Sequence, residues 1–306
     1  NFYPAERYAI SSTMEHFGLP ACTDEMIARY SKINEMHWKR MELGEITKQQ
    51  VLEGRFEMFF KEMGFDMIEP FLSISYKESK TNHWAWSIPL AKKALAYCDK
   101  IGLKYETAHI GIGASIFLTP KKKLVEGILA FNKEVGLKRF VVSGMPANSF
   151  DAKRLAKYLK YVQDNIASAG CELIYHNHDD EFGKVKGHYL MDYVLEGNTV
   201  GIELDIGWAS IRSDLMDIMQ TYKERIHIIH FKDVKESGRG KKRLSVKFKD
   251  FSIVGEGFVE TKKVVDMLPA LPSFKGFLIV DQDGFADGSM LDAVKKGLQN
   301  LKELEK

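Results

Sequence analysis

Two textures of apolar and polar positions divide this chain. Up to residue 64 the apolar side chains recur at helical spacing: Ile27, Tyr30 and Ile33 in one run, and Val51, Leu52, Phe56, Phe59 and Phe60 in another. This predicts a helical segment over residues 1–64, with Thr23-Asp-Glu-Met26 capping one helix and Thr47 opening the next. From residue 65 the apolar residues gather into short runs at 67–73, 104–109, 139–143, 172–176, 200–205, 226–230 and 276–281, which predict seven strands. Helical patterns at 88–101, 120–135, 152–169, 215–222 and 259–268 separate them. Strand and helix in alternation mean repeated βα units around a parallel sheet. No G-x-G-x-x-G turn follows the first strand, so the pattern predicts an α/β fold of the (β/α)8 TIM-barrel type over residues 65–306 rather than an open doubly wound sheet. The first strand of that barrel is expected to be atypical or missing, its place in the chain taken by the N-terminal helices.

Composition narrows the partners. With 45% hydrophobic and 28% charged residues and a formal charge of +2, the 306-residue chain gives no reason to expect nucleic acid or a membrane surface. No apolar run approaches the roughly 20 residues of a spanning helix, and no basic-then-apolar leader pattern opens the chain. Cys22, Cys98 and Cys171 are scattered without paired spacing, which argues against a disulfide framework or a thiolate zinc site and for a reducing cytoplasm. A small molecule is the expected partner, with self-association left open.

The chemistry lies at the strand ends. Glu172-Leu-Ile-Tyr-His-Asn-His-Asp-Asp-Glu-Phe182 begins apolar and ends in imidazoles and carboxylates, and His176 and His178 share a strand face. His176, Asp205, His230 and Asp281 each close an apolar run, and in a parallel barrel such ends converge on one mouth. Mixed imidazole and carboxylate donors suit one divalent metal ion, Mn²⁺ foremost, with Co²⁺, Zn²⁺, Fe²⁺ and Mg²⁺ as alternatives.

Two stretches carry resemblances to known families. Tyr30-Ser-Lys-Ile-Asn-Glu-Met-His-Trp38, Glu42-Leu-Gly-Glu-Ile-Thr47 and Arg55-Phe56 resemble the helical cap of haloacid-dehalogenase-like nucleotidases and phosphatases. That family's Asp-x-Asp nucleophile strand is not among the preceding residues, so helical structure is expected here without phosphatase chemistry. His176-Asn-His-Asp179, Leu204-Asp-Ile-Gly-Trp208, His230-Phe-Lys-Asp233, Gly255-Glu-Gly257 and Val280-Asp-Gln-Asp283 resemble the sugar isomerase and epimerase barrels related to xylose isomerase. The resemblance implies a metal held from the last four strands by Glu, Asp, His and Glu. Asp205 matches the Asp slot and His230 the His slot, whereas His176 and Asp281 stand in the two glutamate slots. Family epimerases use those glutamates on opposite faces of the substrate. The expected activity is therefore proton abstraction next to the carbonyl of a sugar or keto-sugar derivative, leading to isomerisation, epimerisation or β-elimination. The alternative is a noncatalytic carbohydrate-binding barrel that has lost the glutamate pair.

Neighbouring residues fill the remaining roles. Asp281 is the first candidate base, with Asp283 and His178 as alternatives. Lys232 shares parity with His230 and can bond a developing oxyanion, or pair structurally with Asp233. His109 and Trp208 are candidate substrate contacts, Trp208 with Trp84 and Trp86 as an apolar platform; Glu69 and Glu181 are candidates for substrate contact or for orienting ligand imidazoles. The basic run 235–249 reads as a solvated lid or interface loop, or as a phosphate site.

Overall fold

Runs of β-branched and aromatic residues form the sheet, and amphipathic stretches cover it. In the computed structural model the described residues are 24–46, 66–74, 87–111, 119–284 and 290–304. In chain order, α1 (Asp24–Glu42) precedes β1 (Phe71–Ser73), α2 (Ile88–Ile101), β2 (Thr107–Gly111), α3 (Lys121–Val135), β3 (Arg139–Val142), α4 (Ser149–Ile166) and β4 (Glu172–His176). A hairpin of β5 (Lys184–Val185) and β6 (His188–Tyr189) leads to α5 (Leu190–Val194), β7 (Gly201–Asp205), α6 (Ile206–Arg212), α7 (Leu215–Tyr222) and β8 (Ile226–Phe231). Then β9 (Asp233–Val234) pairs antiparallel with β10 (Phe251–Ser252), before α8 (Thr261–Met267), β11 (Phe277–Val280) and α9 (Met290–Leu304).

All seven expected strands are present, in one parallel sheet ordered β1-β2-β3-β4-β7-β8-β11. Helices α2 and α7 coincide with their expected limits. The helix expected after Thr47 lies outside the described residues, as do Cys22, Trp84 and Trp86.

The sheet is curled. Val141 on β3 and Ile174 on β4 share one buried cluster with Ile228 on β8, and Phe277 and Ile279 on β11 pack against it. Side chains from distant strands thus meet in a common interior. Residues of the opposite parity, such as Leu173, Tyr175, Leu204, Ile229 and Phe231, face outward into the larger core beneath the helices. Between β7 and β8 the register shifts: Ile202 pairs with Ile226 but Glu203 with Ile228, leaving His227 as an extra residue, a β-bulge. His227 and Ile228 both turn inward, and Gly201 makes room, since a Cβ there would collide with the His227 ring.

Helix α6 follows β7 without a loop. Asp205, the last strand residue, accepts a hydrogen bond from the Trp208 amide at 2.8 Å and so serves as the helix N-cap. Six of the seven residues of α6 are buried, so no polar alternation announces it in the sequence. Among the described residues no helix is long and apolar enough to cross a membrane.

Candidate active site

Strand parity delivers the site. Ile174 and Ile228 point into the apolar interior layer, so His176 and His230, two residues further on, emerge above it on the same face. Asp281 follows Ile279 at the end of β11 in the same way. One ligand atom from each of His176, Asp205 and His230 lies within 4.8 Å of the others. The His176 and His230 rings meet edge to face at 4.9 Å, and His176 Nε2 is 3.9 Å from Asp205 Oδ2. Asp281 joins through its neighbours, 3.3 Å from His230 Nδ1 and 2.9 Å from Lys232 Nζ.

Lys232 is the electrostatic centre of the mouth. Its ammonium is buried and lies 2.7 Å from Asp205, 2.9 Å from Asp281 and 2.7 Å from Asp283. Burial works against its charge, but Asp205 and Asp281 outweigh burial and hold its pKa well above the usual lysine value. The same ammonium overcomes the burial of Asp281 and keeps that carboxyl well below the usual range. Asp205 is pushed up to about 6 by burial, with Lys232 offsetting part of the rise. Gly207 on α6 is required here, because a Cβ would run into the Lys232 stem. Asp233 is not the partner of Lys232: it accepts the backbone N–H groups of Val234, Gly255, Gly257 and Val259, which explains the Gly255-Glu-Gly257 motif as a loop folded around a carboxylate.

His178 packs against His176 at 5.2 Å and Trp208 at 5.7 Å between ring centres, and its buried Nδ1 has no hydrogen-bond partner among the described residues. Burial, reinforced by Lys232 and Arg243, lowers its pKa to about 3, so its ring is neutral at neutral pH. Glu181 lies behind it, fully buried. It accepts the Tyr175 hydroxyl at 2.6 Å and the His178 amide at 3.0 Å, and burial lifts its pKa to about 7. Its contacts are with the Tyr175 hydroxyl and the His178 backbone. Trp208 donates its indole N–H to Asp283 at 3.0 Å. It also walls a groove of about 420 Å³, with Phe248 and Phe251 on the apolar side and Arg243, Lys247 and Asp283 on the polar one. The basic loop carrying Arg243 and Lys247 is organised around buried Asp250, which takes Lys241 Nζ at 2.7 Å and Ser237 Oγ at 2.9 Å.

One functional-looking residue escapes the sequence reading. Glu203, wholly buried on β7, accepts His176 Nδ1 at 2.8 Å and lies 3.3 Å from His230 Nε2 and 3.9 Å from His109 Nδ1. It orients His176, the part anticipated for Glu69 or Glu181. The signal was its parity with Asp205 inside an otherwise apolar strand. His109, stacked on Phe71 at 5.0 Å, has a pKa lowered to about 4 by burial. Glu69 accepts the Thr107 hydroxyl and sits 3.4 Å from His230 Nε2. Nitrogen and oxygen donors without a thiolate fit a borderline divalent cation. The opposing feature is Lys232, which already supplies positive charge to Asp205 and Asp281.

Comparison with known proteins agrees with the barrel fold. A sugar phosphate isomerase/epimerase from Parabacteroides distasonis superposes with a TM-score of 0.62 at 19% identity, over 82% of this chain and 90% of that one. The IOLI protein, solved with a bound zinc atom, gives 0.57 at 14% over 82% and 90%. AsbF from Bacillus anthracis, described as a 3-DHS dehydratase, gives 0.51 at 13% over 77% and 99%. Separately, 77 residues are 31% identical to YfnB of Bacillus subtilis, described as a HAD-hydrolase; the match spans 25% of this chain and about a third (32%) of that protein. The family model for the xylose isomerase-like TIM barrel matches residues 59–304, and the chain belongs to that family.

Proposed function

We propose that this chain is a divalent-metal-dependent enzyme that removes a proton next to the carbonyl of a sugar or keto-sugar derivative, yielding isomerisation, epimerisation or β-elimination. The reading rests on one observation: His176, Asp205 and His230, from three adjacent strands, converge within 4.8 Å at the end of the barrel where active sites of this fold lie. These three, with Asp281, would hold the cation, Mn²⁺ foremost. When bound, such an ion supplies Lewis-acid polarisation of the substrate carbonyl.

The chain's own groups do the rest. Lys232 stays protonated and donates to the oxygen that gains negative charge. Asp281, kept ionised beside it, accepts the proton, with Asp283 and the neutral ring of His178 as the further acceptors at the mouth. Trp208 packs one sugar face against an apolar wall, and His109 bonds a hydroxyl. On this reading the barrel, residues 65–306, carries the activity of a cytoplasmic enzyme, and residues 1–64 are a helical appendage. A carbohydrate-binding barrel without chemistry is the second reading, favoured by the Lys232 ammonium standing where a cation's charge would fall.

Metal titration of the purified chain separates the two. Mn²⁺, Co²⁺ or Zn²⁺ should bind stoichiometrically and raise the melting temperature, and Asp205→Asn should cut affinity by a factor on the order of 10–100 while leaving the barrel folded. An unchanged number of bound ions in Asp205→Asn would contradict the assignment.

A further inference from the structure

Deeper than the strand ends lies a second group of ligating atoms. One atom each from Glu69, Glu203 and His230 lies within 4.8 Å of the others, and His109, His176 and Glu203 satisfy the same condition. Glu203 belongs to both sets. It sits two residues before the end of β7 and Glu69 two residues before β1, whereas Asp205, Asp281 and Asp283 cluster around Lys232.

The two groups differ in how their charge is balanced. Lys232 compensates the carboxylates at the mouth. The only basic groups within 4.0 Å of Glu69 and Glu203 among the described residues are imidazoles: His230 Nε2 at 3.4 and 3.3 Å, His109 Nδ1 at 3.9 Å from each, and His176 Nδ1 at 2.8 Å from Glu203. Burying two carboxylates without a permanent cation is costly, several kcal/mol per ion even after relaxation, unless positive charge is recruited. Two atoms point at where it would go. Glu203 Oε1 is buried with no hydrogen-bond partner, and His230 Nε2, equally buried, lies between the two carboxylates yet is aligned with neither for a hydrogen bond. The other Glu203 oxygen is fixed by His176 Nδ1, and Glu69 by the Thr107 hydroxyl, so both carboxylates are held in place beside His230 Nε2.

We propose that Glu69, Glu203 and His230 form an inner divalent-cation site, flanked by His109 and His176 and separate from the strand-end set of His176, Asp205, His230 and Asp281. Two carboxylate oxygens and one imidazole nitrogen suit Zn²⁺, Mn²⁺, Fe²⁺ or Co²⁺. The inner site shares His230 with the strand-end site but does not rest on it, and the test therefore avoids that residue. Metal-free full-length protein is dialysed against Zn²⁺ and assayed by elemental analysis, and Co²⁺ is added in parallel to follow its visible absorption bands. The proteins are the wild type, Glu69→Gln, Glu203→Gln and Asp205→Asn.

The expected result is that Asp205→Asn retains one tightly held ion and its cobalt bands, while Glu69→Gln and Glu203→Gln bind that ion at least tenfold more weakly. Zinc should raise the melting temperature of Asp205→Asn, and should raise that of Glu69→Gln by less than that of the wild type. Glutamine at 203 keeps an oxygen for His176, and if that variant still fails to fold, Glu69→Gln decides. Undiminished ion content and cobalt absorption in both glutamine variants would overturn the inner site. If Asp205→Asn alone lost its ion, the strand-end site would stand without the inner one.

Discussion

The barrel interior is polar at both ends, and the ends are built differently. At the N-terminal end Arg139 lies 3.4 Å from Glu172 and 3.3 Å from Glu106, with its guanidinium 5.3 Å from the Phe277 ring, and His227 lies 2.6 Å from Glu172. Each acid there faces an arginine or histidine, and Glu172, Arg139 and Glu106 all keep partial contact with solvent. At the C-terminal end the groups are more deeply buried, and carboxylates outnumber permanent cations. Lys232 serves three aspartates, and Glu69 and Glu203 are left to imidazoles. Val141, Ile174, Ile228 and Ile279 separate the two. Polar residues inside a barrel are therefore no sign of chemistry in themselves. An excess of one charge sign, held dry, is.

Substitutions at the two ends and in the layer between them sharpen this contrast. The largest stability effect should come from the divider: Ile228→Ala opens a cavity against Val141 and Ile174 and should cost roughly 2–5 kcal/mol in denaturant unfolding. A cost under 1 kcal/mol would mean that the ends are not insulated from one another. Next is the buried acid behind the mouth. The pKa of Glu181 is raised from 4.5 to about 7, so its contribution to stability is fully present below the lower value and is lost as pH rises through the higher one. Across that window the loss amounts to ~3 kcal/mol. Urea midpoints taken at about pH 5 and about pH 8 should thus diverge less in Glu181→Gln than in wild type, and an unchanged divergence would remove Glu181 from the account. The smallest effect belongs to the lower end, where Arg139→Met should cost about 1 kcal/mol and leave metal binding as in wild type. Weakened metal binding in that variant would erase the distinction between the ends.

Strands were legible because their runs are apolar, bounded and regularly spaced, and β4 coincides with the expected 172–176. The four strand-end residues were legible because each closes an apolar run, and parity paired His176 with His178 and Lys232 with His230. What parity cannot supply is distance across the barrel. Lys232 finds Asp205 and Asp283 through curvature that no local pattern encodes, while its sequence neighbour Asp233 turns away to bind loop amides. Glu203 was hidden differently, as an acid set between Ile202 and Leu204 that both read as core. The helix α6 left no trace, since a helix buried on nearly every side has no polar face to set the period.

The bulge in β8 gives the strand slack. Without His227 the ladder would run unbroken against β7, and His230 would still arrive opposite Asp205. A lost or gained residue below that point is taken up locally and does not travel to the mouth. The lower rim can therefore drift in length and sequence over generations while the facing of His230 and Asp205 above it stays in step.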